Sequence, residues 1–159
     1  DLQYYDGSPD AEVLARCEMA QSLADTVVDV LPWDVVALRH YGTYNCRVIS
    51  GSDPPVLSQH GLANAIDIFG FEFASGELWT LIDDWEHHDD DEPLDFETEA
   101  GEWLYDAGYR WFTDDIWNII LTPDHNTAHD DHFHVDLTSG SNFHGFTDGR
   151  YYGPAPYGD

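Results

Sequence analysis

Two short stretches hold residues whose types and spacing suit metal chemistry. The first is His129 to Leu137, His-Asp-Asp-His-Phe-His-Val-Asp-Leu. Phe133, Val135 and Leu137 alternate with His132, His134 and Asp136, the period-2 pattern of a strand with one buried face. Residues at i and i+2 of a strand project to the same side, about 7 Å apart along the backbone. His132 and His134 are therefore placed to act as a metal ligand and its catalytic neighbour. A lone His-x-His also suits a wet strand face that merely carries imidazoles, so the second stretch decides. Ser58 to Asp67 brings His60 and Asp67, with small Gly61, Ala63 and Ala65 between them. Small residues let the backbone turn tightly from His60 into an apolar strand running from Ile66 to Phe73. His60, Asp67 and His134 then offer two imidazole nitrogens and one carboxylate oxygen, a set suited to Zn²⁺. Three protein ligands leave a fourth position for water, which separates a catalytic zinc site from a structural one.

The same residues carry a resemblance. Gly-Thr-Tyr-Asn-Cys-Arg at 42–47, Leu-Ser-Gln-His at 57–60, Asp-Ile-Phe-Gly-Phe at 67–71 and the stretch 129–136 resemble the bacterial extensin-like C-terminal domain family over roughly residues 13–146. More distantly, the His-x6-Asp and His-x-His pair is similar to the LAS zinc peptidases. That group takes in lysostaphin-type endopeptidases, D-Ala-D-Ala metallopeptidases and murein endopeptidases, with the hedgehog signalling domain as a relative. The resemblance implies Zn²⁺ held by His60, Asp67 and His134, with His132 as the catalytic residue beside it. His129 matches a histidine at that spacing in some murein endopeptidases. Asp131 stands where other members place an acid, three residues before the last ligand. The base is thus His132 or Asp131. Arg47 occupies a strand that supplies a substrate- or oxyanion-binding arginine in D-Ala-D-Ala-type relatives; as one of only five cations it is equally suited to pairing with the abundant carboxylates.

The expected function is hydrolysis of a peptide bond in cell-wall peptidoglycan by a zinc-activated water, with His132 or Asp131 moving the proton. Asp136 is expected to steady a ligand imidazole. No Ser or Cys nucleophile context is present. Three alternatives stand beside it: a D-Ala-D-Ala carboxypeptidase or dipeptidase, a zinc-stabilised extracellular binding domain without turnover, and an ion-binding protein whose charge is its function. The expected partner is peptidoglycan or its peptides, met by a monomer.

These residues need elements to position them. A chain of 159 residues is expected to form one α+β domain, two main helices against a small, mainly antiparallel sheet. The apolar spacing from Val13 to Leu31 predicts a first helix, capped by Asp10 and stopped by Pro32. Phe96, Ala100, Trp103, Leu104 and Ala107 predict a second, ended by Gly108. Short strands are expected over Val35 to Leu38, Tyr44 to Ile49, Leu78 to Ile82 and within Trp111 to Leu121. Residues 1–10 and 147–159 read as irregular arms, within a Gly-, Tyr- and Pro-rich end that begins at Thr138. Asp83 to Asp95, with His87 and His88, reads as a solvated loop.

Net charge is −27, from 32 acidic residues against five arginines and no lysine. Such a surface repels nucleic acid and anionic membranes, and no stretch reaches the ~18 apolar residues of a bilayer span. We read the acidity as salt adaptation, since no Asp-x-Asp-x-Asp-Gly calcium loop accompanies it. The acidic opening lacks the basic start of a signal peptide, as a mature secreted or periplasmic chain would. Cys17 and Cys46 are the only cysteines. In that setting they are expected to form a disulfide between the first helix and the second strand, contributing roughly 3–4 kcal/mol.

Overall fold

The alternating apolar residues in the first half of the chain build two long neighbouring strands, β2 (Val35–Gly42) and β3 (Ala65–Phe73), paired antiparallel. The computed structural model describes residues 1–9, 13–49, 51–87 and 95–145. Around the central pair lie β1 (Leu2–Tyr4), β4 (Leu78–Thr80), β5 (Ile119–Leu121), β6 (Phe133–Asp136) and β7 (Phe143–Gly145). The sheet runs β1-β2-β3-β6-β5-β7, with β4 beside the second half of β3. Within it β1 and β2 are parallel, as are β5 and β7; the other pairings are antiparallel. The fold is α+β with a mixed sheet.

Among the described residues three α-helices accompany the sheet: α1 (Cys17–Val30), the single-turn α2 (Leu81–Asp84) and α3 (Glu99–Thr113). In α1, Met19, Leu23, Thr26 and Val30 fall at helical spacing and are buried. Thr98 caps α3, its hydroxyl accepting from the Gly101 N–H at 3.0 Å. Leu104, Ala107 and Trp111 of α3 pack with Met19 and Leu23 of α1 against Ile66, Ile68, Phe71, Phe133 and Val135 of the sheet. Burying a large apolar side chain contributes roughly 1.5–3 kcal/mol, so this cluster is the main source of stability. Asp29 clasps the two long helices together. It accepts from Arg110 Nε and Nη2 at 3.2 and 3.1 Å, and from Trp111 Nε1 at 2.9 Å.

Several expectations are corrected. Residues 2–4 form a paired edge strand rather than a loose arm. Helix α1 starts only at Cys17, because the Arg16 N–H is engaged by the Ala63 carbonyl at 2.8 Å. Val13 and Ala15, which pack on the core, alternate with exposed Leu14 and Arg16 in an extended segment. The cap assigned to Asp10 lies outside the described residues. Tyr44 to Ile49 is an exposed loop whose strand character is limited to a Val48–Leu57 bridge. The return strand after the 74–77 turn gives way to α2 after Thr80. Gly108 does not end α3 but lies inside it, buried beside Phe133 and His144, where even a Cβ would make ordinary van der Waals contact. Part of the stretch after Thr138 is ordered as β7. Cys17 and Cys46 are exposed free thiols and not a disulfide: neither has the burial that the apolar neighbours in sequence suggested. Residues 147–159 and His88 lie outside the described residues, while His87 lies beside Asp124.

Candidate metal centre

Register explains why Asp67 meets His134. In the antiparallel β3–β6 pair Asp67 lies directly opposite His134, flanked by the pairs Ile66–Val135 and Ile68–Phe133. Residues so placed have Cβ atoms about 4.5–5.5 Å apart on one face. The apolar partners point into the core while Asp67 and His134 point away from it. His60 arrives from a short 3₁₀ turn, His60–Leu62, just before β3. Ala63 closes that turn in the left-handed conformation, φ 53°, at a cost of roughly 1–2 kcal/mol for a residue with a Cβ. The Ser58 hydroxyl accepts from the His60 N–H at 3.1 Å, and His60 itself is only 3% exposed.

Three donor atoms converge here. His60 Nε2 lies 3.0 Å from Asp67 Oδ1 and 3.0 Å from His134 Nδ1, and Asp67 Oδ1 lies 2.9 Å from His134 Nδ1. Zinc bonds of ~2.0–2.1 Å at tetrahedral angles separate donors by roughly 3.3 Å, so a few tenths of outward movement accommodates the ion. The remaining imidazole nitrogens are also partnered. His60 Nδ1 faces the Thr43 carbonyl at 3.2 Å, and His134 Nε2 faces Asp136 Oδ2 at 3.0 Å. Partners of this kind fix which nitrogen is left to ligate. Among the described residues, these three are the group arranged to hold a metal ion.

The electrostatics suit a cation. Burial alone would raise the Asp67 carboxyl, but hydrogen bonds and charge from His134 and His60 hold it far below the usual carboxylate range. Burial works against the His134 imidazolium too, yet Asp136 and Asp67 outweigh it and push the group up to about 9. A strongly anionic pocket of this kind holds a proton where a divalent ion would otherwise bind.

Beside the triad sits a second set. His132 Nε2 lies 3.5 Å from Asp67 Oδ1, and His132 Nδ1 lies 2.7 Å from Asp131 Oδ1. The other oxygen of Asp131 accepts from the Tyr41 hydroxyl at 2.7 Å. The Tyr41 ring stands edge-on to His132, centroids 5.7 Å apart. Burial, then the Asp131 carboxylate, raises the Tyr41 phenol, so it stays a donor at neutral pH. Burial opposes the charge on Asp131, but His132 and Tyr41 lower its pKa below the ordinary value. His129 lies near both histidines, its ring 5.2 Å from His132 and 5.8 Å from His134, with Nδ1 on Asn126 Oδ1 at 2.9 Å. Burial, then the charges of His132 and His134, lowers it to about 4, leaving a neutral imidazole.

His60, Asp67, His134, His132, Asp131 and His129 are thus brought together. Arg47 is exposed on the loop after β2, its carbonyl accepting from the Ser58 N–H at 3.0 Å two residues before His60, and its guanidinium makes no ion pair or hydrogen bond among the described residues. Tyr41 and Asn126 are contributors that the motifs did not mark, and Thr43, inside the 42–47 stretch, contributes through its backbone carbonyl. Tyr41 reads in sequence as part of a turn, whereas it is the penultimate residue of β2. No curated protein and no solved structure gives a significant match to the chain. Residues 8–145 match the extensin-like protein C-terminus family, and because that span is most of the chain, the protein belongs to this family.

Proposed function

We propose that the protein is a zinc-dependent hydrolase that cleaves a peptide bond in the stem peptides or cross-links of peptidoglycan, outside the cytoplasm where that polymer lies. The observation that carries this reading is the pairing of a three-donor metal site with His132, whose Nε2 faces the same point from 3.5 Å away. The likeness of the two motifs to LAS zinc peptidases supplies the substrate class. Zn²⁺ bound by His60, Asp67 and His134 supplies a Lewis acid and a water of lowered pKa.

The chain's own residues do the rest. Asp131 accepts from His132 Nδ1–H, which leaves the Nε2 lone pair directed at the site. His132 Nε2 takes the proton of the attacking water and returns it to the departing amine. Asp131 has both oxygens engaged, by Tyr41 and by His132, so it orients the base rather than acting as one. Neutral His129 donates its Nδ1–H to Asn126 Oδ1, which leaves the Nε2 lone pair to accept a hydrogen bond from an N–H of the bound peptide.

The test is metal content and digestion on one sample. Elemental analysis should give about one zinc per chain, and mass spectrometry of digested sacculi should show new amine termini. Chelation or His134→Ala should remove both zinc and products. Cleavage that survives either treatment would overturn the zinc mechanism. Bound zinc with no product from sacculi or from soluble stem peptides would overturn the hydrolase reading.

A further inference from the structure

Strand β3 carries Asp67 near one end and Phe73 at the other. Six residues of strand at ~3.3 Å each put these ends about 20 Å apart. Around Phe73 the turn after α1, the β3–β4 hairpin and the start of α3 line a half-open depression of about 280 Å³. Its walls are aromatic: Trp33, Phe73, Trp79 and Trp103. The rings stand at steep angles, 67° between Trp79 and Trp103, 72° between Phe73 and Trp103, and 80° between Trp33 and Trp103. They make walls around a space, not a closed stack.

Three carboxylates, Asp34, Glu77 and Glu99, and the hydroxyl residue Ser75 complete the lining. None of the carboxylates is paired with a basic side chain among the described residues, and no basic residue lines the depression. Aromatic faces attract poorly hydrated organic cations, and aromatic cages are a known solution for quaternary ammonium groups. The outer surface of Trp33 already shows this preference, with Arg110 Cζ 5.8 Å from its ring centroid. A small inorganic cation would gain nothing from four aromatic walls.

The Nε1 of Trp103, 5% exposed overall, is itself closed off from solvent and is not offered to an occupant. A carboxylate on the ligand would face the three that line the depression. We propose that this depression is a binding site, separate from the metal centre, for a small organic ammonium compound without an anionic group.

Calorimetric titration of the full chain tests this with choline, glycine betaine and 3,3-dimethylbutan-1-ol, the neutral isostere of choline. Salt is held at about 1 M, where screening reaches ~3 Å and diffuse attraction to the acidic surface is suppressed. Choline should bind saturably at one site, with the isostere and betaine at least about ten-fold weaker. Trp33→Ala and Glu77→Gln alter exposed residues, leave the core intact, and should each weaken choline several-fold to about ten-fold. Asp106→Asn, elsewhere on the surface, should change nothing. Equal binding of choline and its isostere would overturn the cation site. So would a response that is unsaturable, or that is the same in Trp33→Ala as in the unaltered chain.

Discussion

A histidine acts as a base only where its lone pair faces the reaction, and at His132 that choice is made two residues away from the chemistry. Asp131 takes the Nδ1 proton, and Tyr41 takes up the other oxygen of Asp131. Losing the Tyr41 hydroxyl lets Asp131 rotate, and amide at position 131 lets His132 adopt the wrong tautomer. In the proposed reaction His132→Ala should lower kcat by about 10²–10⁴. Asp131→Asn should cost about 10², and Tyr41→Phe several-fold, with zinc content and KM unchanged in all three. A Tyr41→Phe enzyme with altered metal content instead of altered kcat would show that the tyrosine supports the triad, not the base. The cluster of His60, Asp67, His134, His132, Asp131 and His129 was legible in the sequence because imidazole and carboxylate recur there at fixed spacing on paired strands. Tyr41 was not, since a tyrosine beside a glycine carries no such signal and its role depends on a bulged β2–β3 register.

Between elements, β7 docks on α3 through His144. Its ring meets Tyr105, Tyr109 and Phe112 of α3, and across the sheet its partner is Ile120 of β5. Burial among these groups pushes His144 down to about 4, against an ordinary value near 6.5. The unfolded chain then binds more protons between these two values, so stability is complete above pH ~6.5 and falls as pH drops towards ~4. The loss across that window is on the order of 3 kcal/mol. Urea melts from about pH 7 to 4.5 should show a smaller stability loss in His144→Phe than in the unaltered protein; parallel curves would refute a buried neutral histidine. This docking was invisible in the sequence. Strands of three residues leave too short a pattern to read, and the parallel partner of β7 is set by the packing of α3. Gly108 misled for a related reason, because a glycine inside a helix that tertiary packing holds together looks in sequence like a helix terminator.

For the whole molecule, the imbalance of 32 acidic groups against five arginines dominates. Two of the arginines are committed to the clasps Arg39–Glu72 and Arg110–Asp29, so most carboxylates face others like themselves. Self-repulsion falls as the screening length shortens from ~8 Å at 0.15 M to ~3 Å at 1 M. The melting temperature should therefore climb steeply between about 0.05 and 2 M NaCl, and a flat profile in calorimetry would remove the salt-adapted reading.

High salt also disarms the charge that keeps copies of such a chain apart, and the sheet bears on that. Its long strands, β2 and β3, are interior, whereas β1, β4 and β7 at the margins are three residues each. A three-residue margin offers too few free N–H and C=O groups to template a neighbour. The protein thus has a defence against edge-to-edge aggregation that salt does not weaken, at the ionic strengths where its electrostatic one is lost.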